Sequence, residues 1–135
     1  MIKVIMGLKG SGKTKQLINS INDAVNTENG DIVCIEYGKQ LTYDINYKVR
    51  LVDSEEYGVN NVDMLKGLLC GLHAGNFDVT CVFIDNLYKT IGRDRAAGEE
   101  FIRWADKFAA ANSMKITMTV SDDIEGASED IKQYL

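Results

Sequence analysis

Apolar residues along this chain fall by turns into short runs and helically spaced stripes. Ile2 to Met6 is a short apolar run ending at glycine, the pattern of a buried central strand. Leu17, Ile18, Ile21, Ala24 and Val25 recur at helical spacing and predict a helix over Lys13 to Thr27, closing near Asn29-Gly30. Asp31 to Tyr37 reads as a second strand stopped by Gly38. Tyr47 to Asp53 reads as a third, more exposed strand, with a turn over Lys39 to Asn46 between them. Asn61 is placed to cap a helix carrying Val62, Leu65, Leu68, Leu69 and Leu72 that ends at Ala74-Gly75-Asn76. Val79 to Ile84 is again a buried strand and delivers Asp85 at its end. Phe101, Trp104, Ala105 and Phe108 mark a long helix, Lys115 to Val120 a last strand, and the tail from Ser128 a short helix.

Strands alternating with amphipathic helices predict an α/β fold: a mostly parallel sheet covered on both faces, in a three-layer α/β/α sandwich. The 135 residues suit one domain over 1–135, and 45% hydrophobic content suffices for its core. No proline is present, so glycine and periodicity alone mark the boundaries. No window approaches the roughly 20 apolar residues needed to span a bilayer. The first apolar run is too short for a signal peptide, so a cytoplasmic protein without membrane insertion is expected. Cys34, Cys70 and Cys81 lie far apart in apolar runs and read as reduced core thiols. The net charge of −5 gives no global positive field for nucleic acid, so any phosphate binding must be local.

Such a local site is spelled out after the first strand. Gly7-Leu8-Lys9-Gly10-Ser11-Gly12-Lys13-Thr14 fits the P-loop pattern G-x-x-x-x-G-K-[ST] in full, between a predicted strand and a predicted helix. Gly7 and Gly12 permit backbone conformations that other residues resist, so consecutive N–H groups can wrap a β-phosphate. The following helix adds its positive end. The cradle is assigned to Gly7, Leu8, Lys9, Gly10, Ser11, Gly12, Lys13, Thr14 and Lys15, with ATP or ADP and Mg²⁺ as the expected ligands. Lys13 would reach the β- and γ-phosphate oxygens, and the Thr14 hydroxyl would ligate Mg²⁺. Asp85, at the end of Cys81-Val82-Phe83-Ile84, matches the Walker B pattern, in which the carboxylate holds a Mg²⁺-bound water. Asn86 follows it, and an amide cannot act as a base.

These motifs resemble the RecA/KaiC-like branch of P-loop ATPases, over most of the chain from Met1 to about Asp122. The resemblance implies a catalytic glutamate at the end of the second strand, where Ile32-Val33-Cys34-Ile35-Glu36 makes Glu36 the candidate base. It also implies that the Lys115 to Val120 strand lies between the P-loop and Walker B strands. Thr119 or Ser121 would then sense the γ-phosphate, although such residues at strand ends also commonly satisfy local backbone groups. In the family's own strand count the order is fifth, first, fourth, third, second, with the fifth position vacant here. The long extensions that carry DNA-binding loops or ring contacts in full-sized members are missing, so recombination and clock functions do not carry over.

Arg93 and Arg95 follow Asp85 in a glycine-containing loop, placed either to stabilise transferring phosphate or to form solvated surface pairs. His73 suits the negative end of its helix, and Trp104 reads as core. Tyr37, Tyr43 and Tyr47 either stack on a base or reflect strand propensity. No N/T-K-x-D element is supplied by Val62-Asp63-Met64 or Asn86-Leu87-Tyr88-Lys89, which favours ATP over GTP. The expected function is a Mg²⁺-dependent ATPase or ATP-driven switch with Lys13, Glu36 and Asp85 as catalytic residues. One alternative is a nucleotide-binding module without hydrolysis, favoured by Asn86 and the small size. Another is a small nucleoside or metabolite kinase, similar in outline to thymidine kinase but without its zinc-binding cysteine pairs. A second copy or a protein partner could complete the site.

Overall fold

The computed structural model describes the whole chain, Met1 to Leu135. Its elements run β1 (Ile2–Gly7), α1 (Lys13–Thr27), β2 (Asp31–Glu36), β3 (Arg50–Asp53), α2 (Val62–Gly75), β4 (Val79–Ile84), α3 (Leu87–Ile91), α4 (Arg95–Ala111), β5 (Lys115–Ser121) and α5 (Glu129–Lys132). The five strands form one all-parallel sheet in the order β1-β5-β4-β2-β3.

Alternation along the strands divides the core in two. Val33, Ile35, Val82, Ile84, Ile116 and Met118 face a cluster shared with α2, α3, α4 and α5. Ile5, Ile32, Cys34, Cys81 and Phe83 face Leu17 and Ile21 of α1, together with Leu41, Ile45 and Val49 from the segment before β3. Both sheet faces are therefore covered, an arrangement compatible with three layers. At the β1 edge, the Val4 N–H donates to the Tyr134 carbonyl at 2.9 Å, so the C-terminal tail occupies part of that edge. No helix is long and apolar enough to cross a membrane.

Two α-helices are capped by side chains, at Asn61 as the sequence suggests and at Asp94. The Asn61 side chain accepts from the Met64 N–H at 2.8 Å, and the Asp94 side chain accepts from the Ala97 N–H at 3.2 Å. Three expectations need correction. The third strand begins at Arg50 rather than Tyr47, because Asn46 ties the Lys48 N–H to its side chain and the Val49 N–H to its carbonyl in a turn. Leu87–Ile91 is a separate short helix, where the pattern had suggested only a connection. Cys70 is exposed, because α2 buries Leu65 and Leu69 and turns Cys70 away from them; Cys34 and Cys81 are buried and all three thiols are free. Trp104 is half-buried, stacked on Phe108 at 4.9 Å between ring centroids with Lys66 over its ring.

Candidate functional site

Parallel strands deliver their last residues to the same end of the sheet. β5 pairs with β1 on one side, where Gly7 lies opposite Ser121, and with β4 on the other, where Met118 lies opposite Ile84. The ends of β1, β5 and β4 thus gather Gly7, Thr119, Ser121, Asp85 and Asn86 at one place. A cleft of about 390 Å³ opens there, lined by Lys9, Gly10, Gly12, Lys13, Thr14, Lys15, Asn86, Thr119 and Ser121, with no apolar residue among them.

The loop from Gly7 to Thr14 curls because of its glycines. Gly12 caps α1 at φ 83°, in the left-handed region that side chains resist. Gly7 is needed for space instead, since a Cβ there would stand 2.6 Å from the Ser11 hydroxyl oxygen. The Ser11 N–H returns to the Leu8 carbonyl at 3.1 Å and closes the turn. The N–H groups of Gly10, Gly12, Lys13, Thr14 and Lys15, all of them cleft residues, find no acceptor in the chain. These donors at the start of a fifteen-residue helix form a positive concavity. The Lys13 ammonium bridges the same loop, donating to the Leu8 carbonyl at 3.0 Å and to the Ser11 hydroxyl at 3.4 Å, and the residue is only 8% exposed.

Behind the loop stands a chain of oxygen groups. Thr14 Oγ1 lies 3.4 Å from Asp85 Oδ1, and the Thr119 hydroxyl donates to the same oxygen at 3.1 Å. Thr119 Oγ1 in turn accepts from the Asn86 N–H at 2.6 Å, fixing Asn86 at φ 52°. Asp85 does not line the cleft itself, but two residues that do are bonded to its carboxylate. The two sensor candidates are separated by this network. Both line the cleft, but Thr119 is buried with its proton committed to Asp85, whereas the Ser121 hydroxyl is unbonded.

Neither a protein-family model nor a curated protein matches this sequence.

The other sequence candidates are distributed around the cleft. Glu36 is 3% exposed at the end of β2, and the register that sets Ile35 opposite Ile84 makes Asp85, just past the end of β4, its neighbour. Its Oε1 accepts from the N–H groups of Gln40 and Leu41 at 2.7 and 3.1 Å, organising the turn after β2; Oε2 has no partner in the chain. Glu36 does not line the cleft. Arg95 is not in a loop: it opens α4 and is locked in a two-bond fork to Asp122, at 2.6 and 3.0 Å. The Tyr88 hydroxyl donates to the same carboxylate at 2.6 Å. Arg95 therefore holds the Asp122 carboxyl well below the usual range, with Tyr88 adding to the effect, and burial pushes the Tyr88 hydroxyl up. Arg93 is exposed, with its guanidinium 5.9 Å from the centre of the Tyr88 ring. Tyr43 and Tyr47 are 99% and 90% exposed and line neither the cleft nor its surroundings.

Asn86 as a cleft wall and Asp122 as the lock for Arg95 escape sequence reasoning. An asparagine directly after a strand-end aspartate is the one cue for the first, because asparagine tolerates positive φ. Nothing local marks the second, since Asp122 and Arg95 meet only through the packing of α4 against β5.

Proposed function

We propose that this protein binds ATP with Mg²⁺ in the Gly7 to Lys15 cleft and directs water onto the γ-phosphate, as an ATPase or ATP-driven switch of the P-loop class. One observation carries the reading: unpaired backbone N–H groups and the three lysines Lys9, Lys13 and Lys15 line an apolar-free cleft, with the Thr14 hydroxyl against Asp85. The position of β5 between β1 and β4 supports a RecA/KaiC-like arrangement.

The residues fit Mg²⁺. Thr14 and Asp85 offer a hydroxyl and a carboxylate oxygen 3.4 Å apart, and no group of three acidic, histidine or cysteine side chains forms a dedicated metal cage. Mg²⁺ is commonly held in this way, by one or two protein oxygens, water and phosphate. Bound there, it would neutralise charge on the β- and γ-phosphate oxygens. The chain's own groups do the rest. The free amides of the loop hold the β-phosphate, and Lys13 exchanges Leu8 and Ser11 for phosphate oxygens. Ser121 meets the γ-phosphate end. Glu36, anchored through Oε1, takes the proton of the attacking water on Oε2 as the bond from the γ-phosphorus to its bridging oxygen breaks.

A second reading, binding without turnover, is favoured by the way Glu36 spends Oε1 on Gln40 and Leu41 and stays off the cleft wall. Calorimetric titration with Mg²⁺ and ATP, ADP or GTP, followed by phosphate-release assays, separates the possibilities. Saturable ATP binding that weakens roughly ten- to a hundredfold in Lys13→Ala is the expected result, from the loss of a charge-assisted contact worth about 1.5–3 kcal/mol. Indifference to every nucleotide at millimolar concentration would sink the reading. Tight binding of ATP that stays intact after long incubation would select the module without hydrolysis.

A further inference from the structure

A second recess opens beside the phosphate cleft and shares part of its wall. It encloses about 400 Å³ and is lined by Lys9, Asn86, Tyr88, Lys89, Arg93 and Ser121, of which Lys9, Asn86 and Ser121 also line the first cleft. Half of these residues are cations and none is acidic. None of Lys9, Lys89 and Arg93 has a carboxylate within 4.0 Å, whereas Arg95, two positions beyond Arg93, is tied to Asp122.

We infer that this recess binds the phosphate group of a small phosphomonoester, a second ligand held next to the terminal phosphate of the nucleotide; the inference rests on the nucleotide reading of the neighbouring cleft. A planar guanidinium and two ammonium groups around one concavity match a tetrahedral dianion, with charge-assisted donors from several directions. The walls are pre-set. Tyr88 is anchored through its hydroxyl to Asp122 and carries Arg93 over its ring, and Asn86 is fixed by Thr119. The volume lies in the range of small-molecule sites, about 300–1,000 Å³. An extended polyanion is the poorer match, because the chain carries five excess negative charges and would repel it away from this mouth.

The test uses the full chain saturated with MgADP, titrated with inorganic phosphate and with glycerol phosphate. Both should bind saturably, and at least tenfold more weakly in the double variant Lys89→Ala/Arg93→Ala, while MgADP affinity stays within twofold. Removing equal charge elsewhere, in Lys48→Ala/Lys107→Ala, should change neither. Equal phosphate affinity in Lys89→Ala/Arg93→Ala and the parent would overturn the inference, by placing the anion in the first cleft. So would the absence of saturable binding, or a clear preference for a single-stranded oligonucleotide over glycerol phosphate. If MgADP itself fails to bind, both readings fall; if MgADP binds and the dependence on Lys89 and Arg93 is missing, only this one does.

Discussion

Thr119 on β5 donates its hydroxyl proton to Asp85 at the end of β4, across 3.1 Å, and accepts the Asn86 N–H on the same oxygen. A buried threonine thus aims the carboxylate toward Thr14 and holds the wall residue beside it. Thr119→Val keeps the shape and removes both bonds. It leaves the Asn86 N–H without its acceptor, at a cost of about 1–3 kcal/mol. Urea unfolding should show that loss. If the nucleotide reading holds, the Mg²⁺ requirement for ATP binding should rise with it, because Asp85 loses one of the groups that orient it. Unchanged stability would mean that water replaces the hydroxyl and that the bond contributes little.

Glu36 offers a sharper separation between structure and chemistry. Its Oε1 closes the turn onto Gln40 and Leu41, a task that the amide oxygen of glutamine can perform equally well. Glu36→Gln should therefore fold like the parent while losing the proton acceptor that the proposed ATPase reading assigns to this residue. As general base catalysis contributes about 10²–10⁴ in rate, steady-state phosphate release should fall by a factor in that range. Glu36→Ala should add a loss of stability, because two N–H groups behind Leu41 lose their partner. A Glu36→Gln protein that releases phosphate at the parental rate would remove Glu36 from the chemistry and leave it as a turn residue.

Elements with a clear period were legible in the sequence. α1 and α2 have one apolar stripe each and recognisable ends, and β1, β2, β4 and β5 are apolar runs bounded by turn residues. The shared position of Lys13, Thr14 and Asp85 was legible as well, because one loop carries the first two and an apolar strand end carries the third. What escaped was decided by contacts distant in sequence. Arg95 looked like a loop cation until Asp122, 27 positions later, claimed it. Thr119 and Ser121 are two residues apart on one strand and looked equivalent, yet only Thr119 has Asp85 within reach. Five-residue α3 offered too few positions for a period to emerge.

Thiol chemistry checks the placement of the helices independently. Burial pushes the Cys81 thiol up to about 12 and raises Cys34 as well, so neither supplies the reactive thiolate near neutral pH. Cys70 is exposed on α2. A thiol reagent at pH 8 should modify one cysteine rapidly in the folded protein and three after denaturation, and peptide mapping should place the first label on Cys70. Rapid labelling of Cys34 would contradict the packing of β2 under α1.

Asp122 makes the acid stability of the fold predictable in sign. Unfolded, its carboxyl titrates near the ordinary value of about 3.9. Folded, Arg95 holds it well below that range; burial opposes the effect, while Tyr88 and the Asp123 N–H reinforce it. A carboxyl depressed in the folded state stabilises the fold fully above the unfolded value, and the contribution drains away as pH falls from about 4 toward the lower folded value. Asp122→Asn should therefore cost about 1–3 kcal/mol at pH 7. The lower half of that range is expected, because the Arg95 side chain is 45% exposed and water screens the pair. Urea titrations of parent and variant between pH 7 and 2.5 should show the gap constant down to about pH 4 and shrinking below it. A gap that holds its full size at pH 2.5 would place the acid-sensitive carboxyl elsewhere and leave the bond between Tyr88 and residue 122 as the source of the loss.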